Sequence, residues 1–190
     1  MTIKEVLQRL QEGNKRFVQD KLDGKLQNST RRKALTSGQE PYAIILSCAD
    51  SRVIPELAFD TGLGELFVVR VAGNVANSSS IASIEYAVAN LNTPVIVVLG
   101  HENCGAVTAA LSGGDNGYNL NHLLSHITPA VSASGADSSV NEVVKENALL
   151  SAAELINRSA IIRNAAEAGQ LEIVSGYYNL ESGKVDMLAA

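Results

Sequence analysis

Four apolar runs along the chain are spaced like the buried strands of one sheet. They lie at 42–47, 65–71, 95–100 and 171–178, and each is followed by charged or turn-forming residues. Segments with apolar side chains at helical spacing separate them. Strand–helix–strand units of this kind predict parallel pairing, because parallel strands need a crossover connection. A shorter run at 183–188 is predicted to pair with the last strand as a hairpin at the sheet edge.

The spacing of apolar residues among polar ones also predicts the helices. The first begins with a capping-box pattern at Thr2 and Glu5, has an apolar stripe from Ile3 to Phe17, and is predicted to end near residues 21–24. Other helices are predicted at 30–37, 53–59, 78–91, 104–111 and 119–133, and one or two at 140–170 with a break near 157–159. Side chains that accept hydrogen bonds precede three of them and are the predicted caps. These caps are Asp50 or Ser51, then one of Ser78, Ser79 and Ser80, and then Asn103.

These elements predict an α/β fold with a mainly parallel central sheet, an antiparallel edge strand and flanking helices. With 46% hydrophobic residues, the 190-residue chain has enough apolar side chains for one ample core. Residues 1–190 are therefore predicted to form a single domain, with an N-terminal helical arm at about 1–37. The apolar stripe of the first helix packs either on its own domain or on a partner subunit, and the sequence leaves both open.

Charge and composition argue against several functions. Lys and Arg number 15 against 20 for Asp and Glu, so the net charge is -5, and the one basic run, at 31–33, is too short for a nucleic-acid surface. Neither a stretch of 18 apolar residues nor a signal-peptide pattern is found. We therefore expect no nucleic-acid partner, no membrane association and a cytoplasmic location.

Metal-binding side chains stand at the ends of the first and third predicted strands. Cys48 and Asp50 follow the first strand, and His101 and Cys104 follow the third. Sites in open α/β sheets form at the carboxyl ends of the strands. The two cysteines could form a disulfide, or be buried core thiols, but beside a histidine and without an export signal they favour a metal site. Zinc takes such ligands, and three protein ligands plus a water make a catalytic site.

Asp50 has two possible positions in such a site. It lies two residues after Cys48, so its carboxylate can bind the same metal, or it can stand beside the metal in a forked pair with Arg52. The sequence leaves both arrangements open. His122 and His126 have the i, i+4 spacing of a metal pair, but no thiol or carboxylate nearby completes it. We interpret these two histidines as surface or interface side chains.

The segments Cys48-Ala-Asp-Ser-Arg-Val53 and Gly100-His-Glu-Asn-Cys-Gly105 together resemble the paired motif of the β-class carbonic anhydrases. The resemblance extends over about 39–111. It implies a zinc enzyme that interconverts carbon dioxide and bicarbonate and assembles as a dimer or a dimer of dimers. By the match, one zinc per chain is bound by Cys48, His101 and Cys104, and Asp50 and Arg52 form the catalytic pair.

The resemblance also assigns positions for the substrate. Gln39, nine residues before Cys48, matches a glutamine that hydrogen-bonds bicarbonate from across the dimer interface. Phe67 and Tyr86 match the aromatic residues of a narrow substrate cleft, and Gly105 completes the predicted substrate-binding set.

Arg70 matches an arginine that some members use in a second, inhibitory bicarbonate site. Those members also need a tryptophan three residues before the first cysteine, where this chain has Ile45. The sequence therefore predicts that this inhibitory site is absent in that form.

Two other functions stay open. Hydrolysis of carbonyl sulfide or carbon disulfide would use the same zinc site, so the motifs do not separate it from hydration of carbon dioxide. A non-catalytic protein that binds zinc or bicarbonate would not need the Asp50–Arg52 pair, and the presence of both residues argues against it.

Overall fold

The computed structural model describes residues 1–189. Its five strands are β1 (Ala43–Ser47), β2 (Leu66–Arg70), β3 (Val95–His101), β4 (Glu172–Tyr178) and β5 (Val185–Leu188). They form one sheet in the order β2-β1-β3-β4-β5. The first four strands are parallel, and β5 pairs with β4 in the antiparallel direction. The predicted fold class is confirmed, including the antiparallel strand at the sheet edge.

Nine helices flank this sheet within residues 1–189. They are α1 (Ile3–Val18), α2 (Ser29–Ala34), α3 (Pro55–Ala58), α4 (Ser78–Leu91), α5 (Gly105–Ser112), α6 (Tyr118–Ser125), α7 (Thr128–Ser134), α8 (Val140–Arg158) and α9 (Ala160–Glu167). A short 3-10 turn, Ala72–Asn74, follows β2. Over the described part of the chain, no helix combines the length and apolar character that a membrane crossing requires.

Both faces of the sheet are buried, as parallel strands require. Alternate residues of β1 and β3 point to opposite faces because the side-chain period of a strand is two. Ile44 and Ile96 join a cluster with α4, α8 and α9, whereas Ile45 and Val97 join a cluster with α1 and α3. These four side chains are fully buried, and each contributes about 1.5–3 kcal/mol of hydrophobic free energy.

The first helix packs on its own chain. Its capping box is formed as predicted, and Val6 and Leu10 are fully buried against the sheet. Asn14, also buried, donates from Nδ2 to the carbonyls of Ala58 and Gly183. Of the two packing partners that the sequence left open, the structure therefore shows the helix's own domain.

Two helices begin differently from the prediction. α4 is capped by Asn77, whose Oδ1 accepts the N–H of Ser80, and not by one of the three serines. α3 begins at Pro55 instead of at residue 53, with no side-chain cap. Proline at the first helical position has no N–H to satisfy and a φ already suited to a helix. The predicted caps Asp50 and Ser51 were therefore wrong.

The cap of α5 was also predicted wrongly. Cys104, and not Asn103, is the N-cap residue, so Cys104 does not lie in the first turn of the helix. Asn103 adopts φ 51°, a left-handed conformation that asparagine tolerates better than most residues. Its backbone N–H is bonded to Oδ1 of Asn141 in α8. The tight turn at Asn103 ends β3 and turns the chain into α5.

The segment 119–133 forms two helices where one was predicted. α6 ends at Ser125, and α7 begins at Thr128 with Pro129 in its first turn. Proline lacks a donor and clashes with a preceding helical turn, so the helix is interrupted there. The break predicted near 157–159 is confirmed: Ser159 separates α8 from α9 and accepts the N–H of Ile162.

The sheet topology creates a crevice at the carboxyl ends of β1 and β3. The chain leaves β1 toward β2 on one side, while β3 is the neighbour of β1 on the other side. Such a switch point in strand order is where α/β sheets bind ligands. Cys48 directly follows β1, and His101 is the last residue of β3.

Candidate metal centre

Cys48, His101 and Cys104, here named the ligand cluster, meet in this crevice. Their ligand atoms all lie within 4.8 Å of one another, and all three residues are buried. The two sulfur atoms are 3.9 Å apart, and both cysteines are free. This is the only group of three or more such side chains within residues 1–189 that is close enough to hold a metal ion. The predicted meeting of these three residues is therefore observed.

The imidazole of His101 is oriented as a metal-binding histidine would be. Its Nδ1 lies 2.9 Å from the carbonyl oxygen of Glu102, which can accept a hydrogen bond from it. That bond leaves Nε2 with its lone pair, and Nε2 is buried with no hydrogen-bond partner among the described residues. A metal-binding histidine usually donates its other ring N–H in this way. A metal beside the two thiols would satisfy the buried nitrogen.

Glu102, the residue after β3, is hydrogen-bonded to the turn between β4 and β5. The carboxylate of Glu102 accepts hydrogen bonds from Nδ2 of Asn179 and from the backbone N–H of Leu180, at 2.9 and 3.0 Å. The backbone N–H of Glu102 donates to the carbonyl of Tyr178. Glu102 thereby fixes the carbonyl that orients the imidazole.

The two thiols have different affinities for a proton. The hydrogen bond from Cys104 lowers the pKa of Cys48 against the opposing effect of burial, and the bond from the Gly73 amide adds to it. The same contact with Cys48, together with burial, raises the pKa of Cys104. A bound cation would favour the thiolate form of both cysteines.

Asp50 lies beside the ligand cluster and is held by Arg52. The guanidinium donates from Nε to Oδ1 at 2.9 Å and from Nη2 to Oδ2 at 2.7 Å, and the backbone N–H of Arg52 also bonds Oδ1. These bonds keep the pKa of Asp50 well below its usual value, so the carboxylate is ionised. Oδ2 is 3.8 Å from Nε2 of His101. The forked pair between Asp50 and Arg52 is therefore formed in the structure.

Arg70 supports the same loop from the neighbouring strand. It is the last residue of β2, and its guanidinium donates to the backbone carbonyls of Cys48, Asp50 and Val53 at 2.9, 2.7 and 2.8 Å. Its donors are thus engaged by the loop that carries the thiol and the carboxylate. No feature of the sequence predicted this contact.

Three of the predicted substrate-binding residues lie away from the ligand cluster of their own chain. Phe67 pairs in register with Ile44, four residues before Cys48, which is about 13 Å along the strand. Tyr86 contacts Phe67 with ring centroids 6.4 Å apart and is half exposed. Gln39 is exposed and precedes the amino end of β1. Gly105, by contrast, directly follows Cys104 as the first residue of α5.

His122 and His126 lie on another part of the surface. Their rings contact each other edge to face, with centroids 5.5 Å apart at the end of α6. Burial and the neighbouring His122 lower the pKa of His126. Within residues 1–189 neither histidine belongs to a group of three or more metal-binding side chains. Their interpretation as surface or interface side chains stays a prediction.

Two residues outside the motifs contribute to the site without having been predicted. Gly73 donates its backbone N–H to the Cys48 sulfur, and Asn147 of α8 donates to the Gly73 carbonyl. One signal for Gly73 was present in the sequence, because a Gly-Asn pair follows β2 at the same sheet edge as Cys48. Asn147 stands at helical spacing from Val143 and Val144, which places it on the buried face of α8, but nothing in the sequence indicates that its partner is Gly73.

Comparison with known proteins matches most of the chain to one family. Residues 43–185 match the family described as "Carbonic anhydrase". "Carbonic anhydrase 2" of Mycobacterium tuberculosis is 42% identical over 181 residues, covering 92% of this chain and 87% of the relative. The carbonic anhydrase of Mycolicibacterium smegmatis is 40% identical over 184 residues, covering 94% and 89%.

Solved structures resemble the fold over most of its length. The β-carbonic anhydrase CcaA superposes with a TM-score of 0.77 at 27% identity, covering 97% of this chain and 99% of that one. One of two β-carbonic anhydrases from Sordaria macrospora, described as tetrameric, superposes with a TM-score of 0.78 at 26% identity, covering 86% and 88%.

Proposed function

The chain belongs to the β-class carbonic anhydrases, and we propose that it catalyses the reversible hydration of carbon dioxide with one zinc ion per chain. The observation that carries the proposal is the ligand cluster itself. Two buried thiols and a buried imidazole nitrogen without a partner lie within 4.8 Å of one another, beside an ionised carboxylate.

The donor set fits zinc. Two thiolates and one imidazole are ligands that zinc prefers, and three protein ligands leave one position for water. Cys48, His101 and Cys104 would hold the ion, and the hydrogen bond between His101 and the Glu102 carbonyl keeps Nε2 available for it. When bound, zinc lowers the pKa of a coordinated water from 15.7 to about 7 and so supplies the nucleophile at neutral pH.

Asp50 orients that nucleophile. Its carboxylate remains ionised because Arg52 binds both oxygens, and an ionised carboxylate only accepts hydrogen bonds. Accepting one from the attacking oxygen would fix the direction of its lone pair toward carbon dioxide. Arg52 therefore acts by holding Asp50 in place, and Arg70 acts by holding the backbone of the same loop.

A second subunit completes the substrate site in this proposal. Phe67, Tyr86 and Gln39 lie away from the carboxyl end of β1, so they do not reach the ligand cluster of their own chain. The same three residues of a partner subunit, placed across an interface, would line the cleft together with Gly105. The tetrameric assembly described for the Sordaria macrospora proteins supports an oligomer. We propose a dimer or a dimer of dimers.

The location proposed for the protein is the cytoplasm. Both cysteines are free and are assigned to a metal rather than to a disulfide. Reducing compartments keep thiols in this state.

Metal analysis and stopped-flow carbon dioxide hydration on one sample test the function. We expect one zinc per chain and hydration activity that is lost on chelation and restored by zinc. Headspace assays for carbonyl sulfide and carbon disulfide on the same sample discriminate the other gases, and a faster reaction with either would reassign the substrate. Zinc without any of the three activities would indicate a binding protein.

The ligand assignment has its own test in Cys104→Ser. We expect this variant to lose most of its zinc and its activity, because a serine hydroxyl is a much weaker zinc ligand than a thiolate. Ser112→Ala, at the far end of α5, is a matched control that should keep both. Stoichiometric zinc with full activity in Cys104→Ser would show that Cys104 is not a ligand.

A further inference from the structure

The sulfur of Cys48 accepts a hydrogen bond from a backbone amide outside both motif loops. The amide nitrogen of Gly73 lies 3.3 Å from Sγ of Cys48, in the turn Ala72–Asn74 after β2. Gly73 has φ 71°, in the left-handed region that favours glycine. A Cβ at this position would lie 2.6 Å from Cδ1 of Ile127 and 3.3 Å from Cβ of Ala106. The backbone conformation therefore favours glycine here, and any side chain would also have to displace Ile127.

A buried side chain of α8 holds the same glycine by its carbonyl. Asn147 is 1% exposed, and its Nδ2 donates to the Gly73 oxygen at 2.8 Å. Its neighbours Val143, Val144 and Ala148 are apolar and buried. Asparagine is an unfavourable residue inside a helix, and burying its amide costs free energy unless the amide is hydrogen-bonded. The bond to Gly73 is what offsets that cost.

We propose that Asn147 is a positioning residue of the metal centre, which holds the Gly73 carbonyl and so keeps the Gly73 N–H directed at the Cys48 sulfur. A hydrogen bond to a coordinating thiolate fixes its orientation and adjusts how much charge it donates, and such outer partners tune the metal. This inference rests on the proposed zinc function. It adds to that function a residue of α8 whose side-chain hydrogen bond goes to Gly73 and to none of the ligands.

Asn147→Asp tests the inference with little change of shape, because it keeps the side-chain volume and replaces the Nδ2 donor by an oxygen that only accepts hydrogen bonds while the carboxylate is ionised. Asn14→Asp is the matched control. Asn14 is also a buried helical asparagine whose Nδ2 donates to backbone carbonyls, but it lies in α1 and bonds Ala58 and Gly183. The experiment loads each full-length protein with zinc and follows zinc release to an excess of chelator.

Asn147→Asp is expected to release zinc at least tenfold faster than the wild type, since loss of an outer partner typically costs 10- to 100-fold in metal affinity. Asn14→Asp is expected to release zinc at the wild-type rate, even where its unfolding temperature falls. Equal release from Asn147→Asp and the wild type, or equal acceleration in Asn14→Asp, would overturn the inference and leave the zinc site standing. A wild-type protein that takes up no zinc would overturn the proposed function and this inference together.

If Asn147→Asp does not fold, a measurement on the wild-type protein still tests the inference. In protein loaded with cadmium-113, the N–H···S bond is expected to transmit a scalar coupling between the metal and the Gly73 amide proton. Detection of that coupling supports the inference. Its absence, with coupling visible at other cysteine contacts, overturns it.

Discussion

Replacing Arg70 by glutamine should reduce catalytic efficiency while zinc stays bound. The guanidinium donates to the carbonyls of Cys48, Asp50 and Val53, and a shorter amide side chain loses most of these bonds. Because Arg70 is exposed to solvent, each bond is taken at the ordinary net value of about 0.5–1.5 kcal/mol, or about 1.5–4.5 kcal/mol for three. None of the three acceptors is a metal-ligand atom, so the zinc content should remain one per chain.

Without these bonds the loop should shift and displace the carboxylate of Asp50. We expect kcat/KM for carbon dioxide hydration to fall about 10- to 100-fold, which corresponds to about 1.4–2.7 kcal/mol of transition-state stabilisation. Stopped-flow hydration with zinc analysis of the same sample measures both quantities. Arg16→Gln, which loses an ion pair with Asp60 at α1, is the control and should keep its kcat/KM. Wild-type kcat/KM in Arg70→Gln, or an equal fall in the control, would refute the positioning role of Arg70.

The remaining predictions concern acid stability and assembly. Burial alone would raise the pKa of Asp60, but the Arg16 guanidinium and the amides of Asp23 and Gly24 outweigh it, so the pKa of Asp60 is lowered. Its stabilising contribution is therefore present above an unfolded-state pKa of about 3.9 and is lost as the pH falls through the folded-state value. In urea unfolding, Asp60→Asn should be less stable than the wild type at pH 7, and this difference should shrink as the pH is lowered below about 3.9; a difference independent of pH would contradict this. On dilution, the activity per chain should fall as the subunits separate, with the oligomeric state followed by light scattering. A monomer with full activity would exclude a cleft shared between subunits.

The meeting of the three ligand-cluster residues could be predicted because each of them stands at or just after the end of a strand that the sequence reveals. Cys48 directly follows one buried strand, and His101 ends another. Parallel strands bring their carboxyl ends to one edge, and adjacent strands then place such side chains together. The parallel sheet follows from the same apolar runs. A helix between two strands forms the crossover connection that parallel pairing needs.

The supporting contacts could not be predicted because they join distant parts of the chain. The bond between Arg70 and the Cys48 carbonyl spans 22 residues, and the bond between Asn147 and Gly73 spans 74. No periodicity marks such a pair. The resemblance associated Arg70 with a bicarbonate site, whereas in the structure its donors bind three backbone carbonyls.

Helix boundaries were less predictable than helix positions. Three serines follow one another at the start of α4, yet Asn77 before them is the cap. The choice depends on which residue has extended backbone angles, and side-chain type alone does not determine that. Pro129, in the first turn of α7, is the sequence feature that marks the interruption after α6. Apolar residues at helical spacing on both sides of it nevertheless predicted one continuous helix.

X-ray absorption spectroscopy at the zinc edge of the purified, active enzyme tests the central claim most directly. Cys48, His101 and Cys104 predict a first shell with two sulfur atoms at about 2.3 Å, one nitrogen at about 2.0 Å and one further light atom. In Cys104→Ser the signal from one sulfur should disappear from whatever zinc remains. A first shell in the wild type with one sulfur, or with none, would contradict the proposed metal centre.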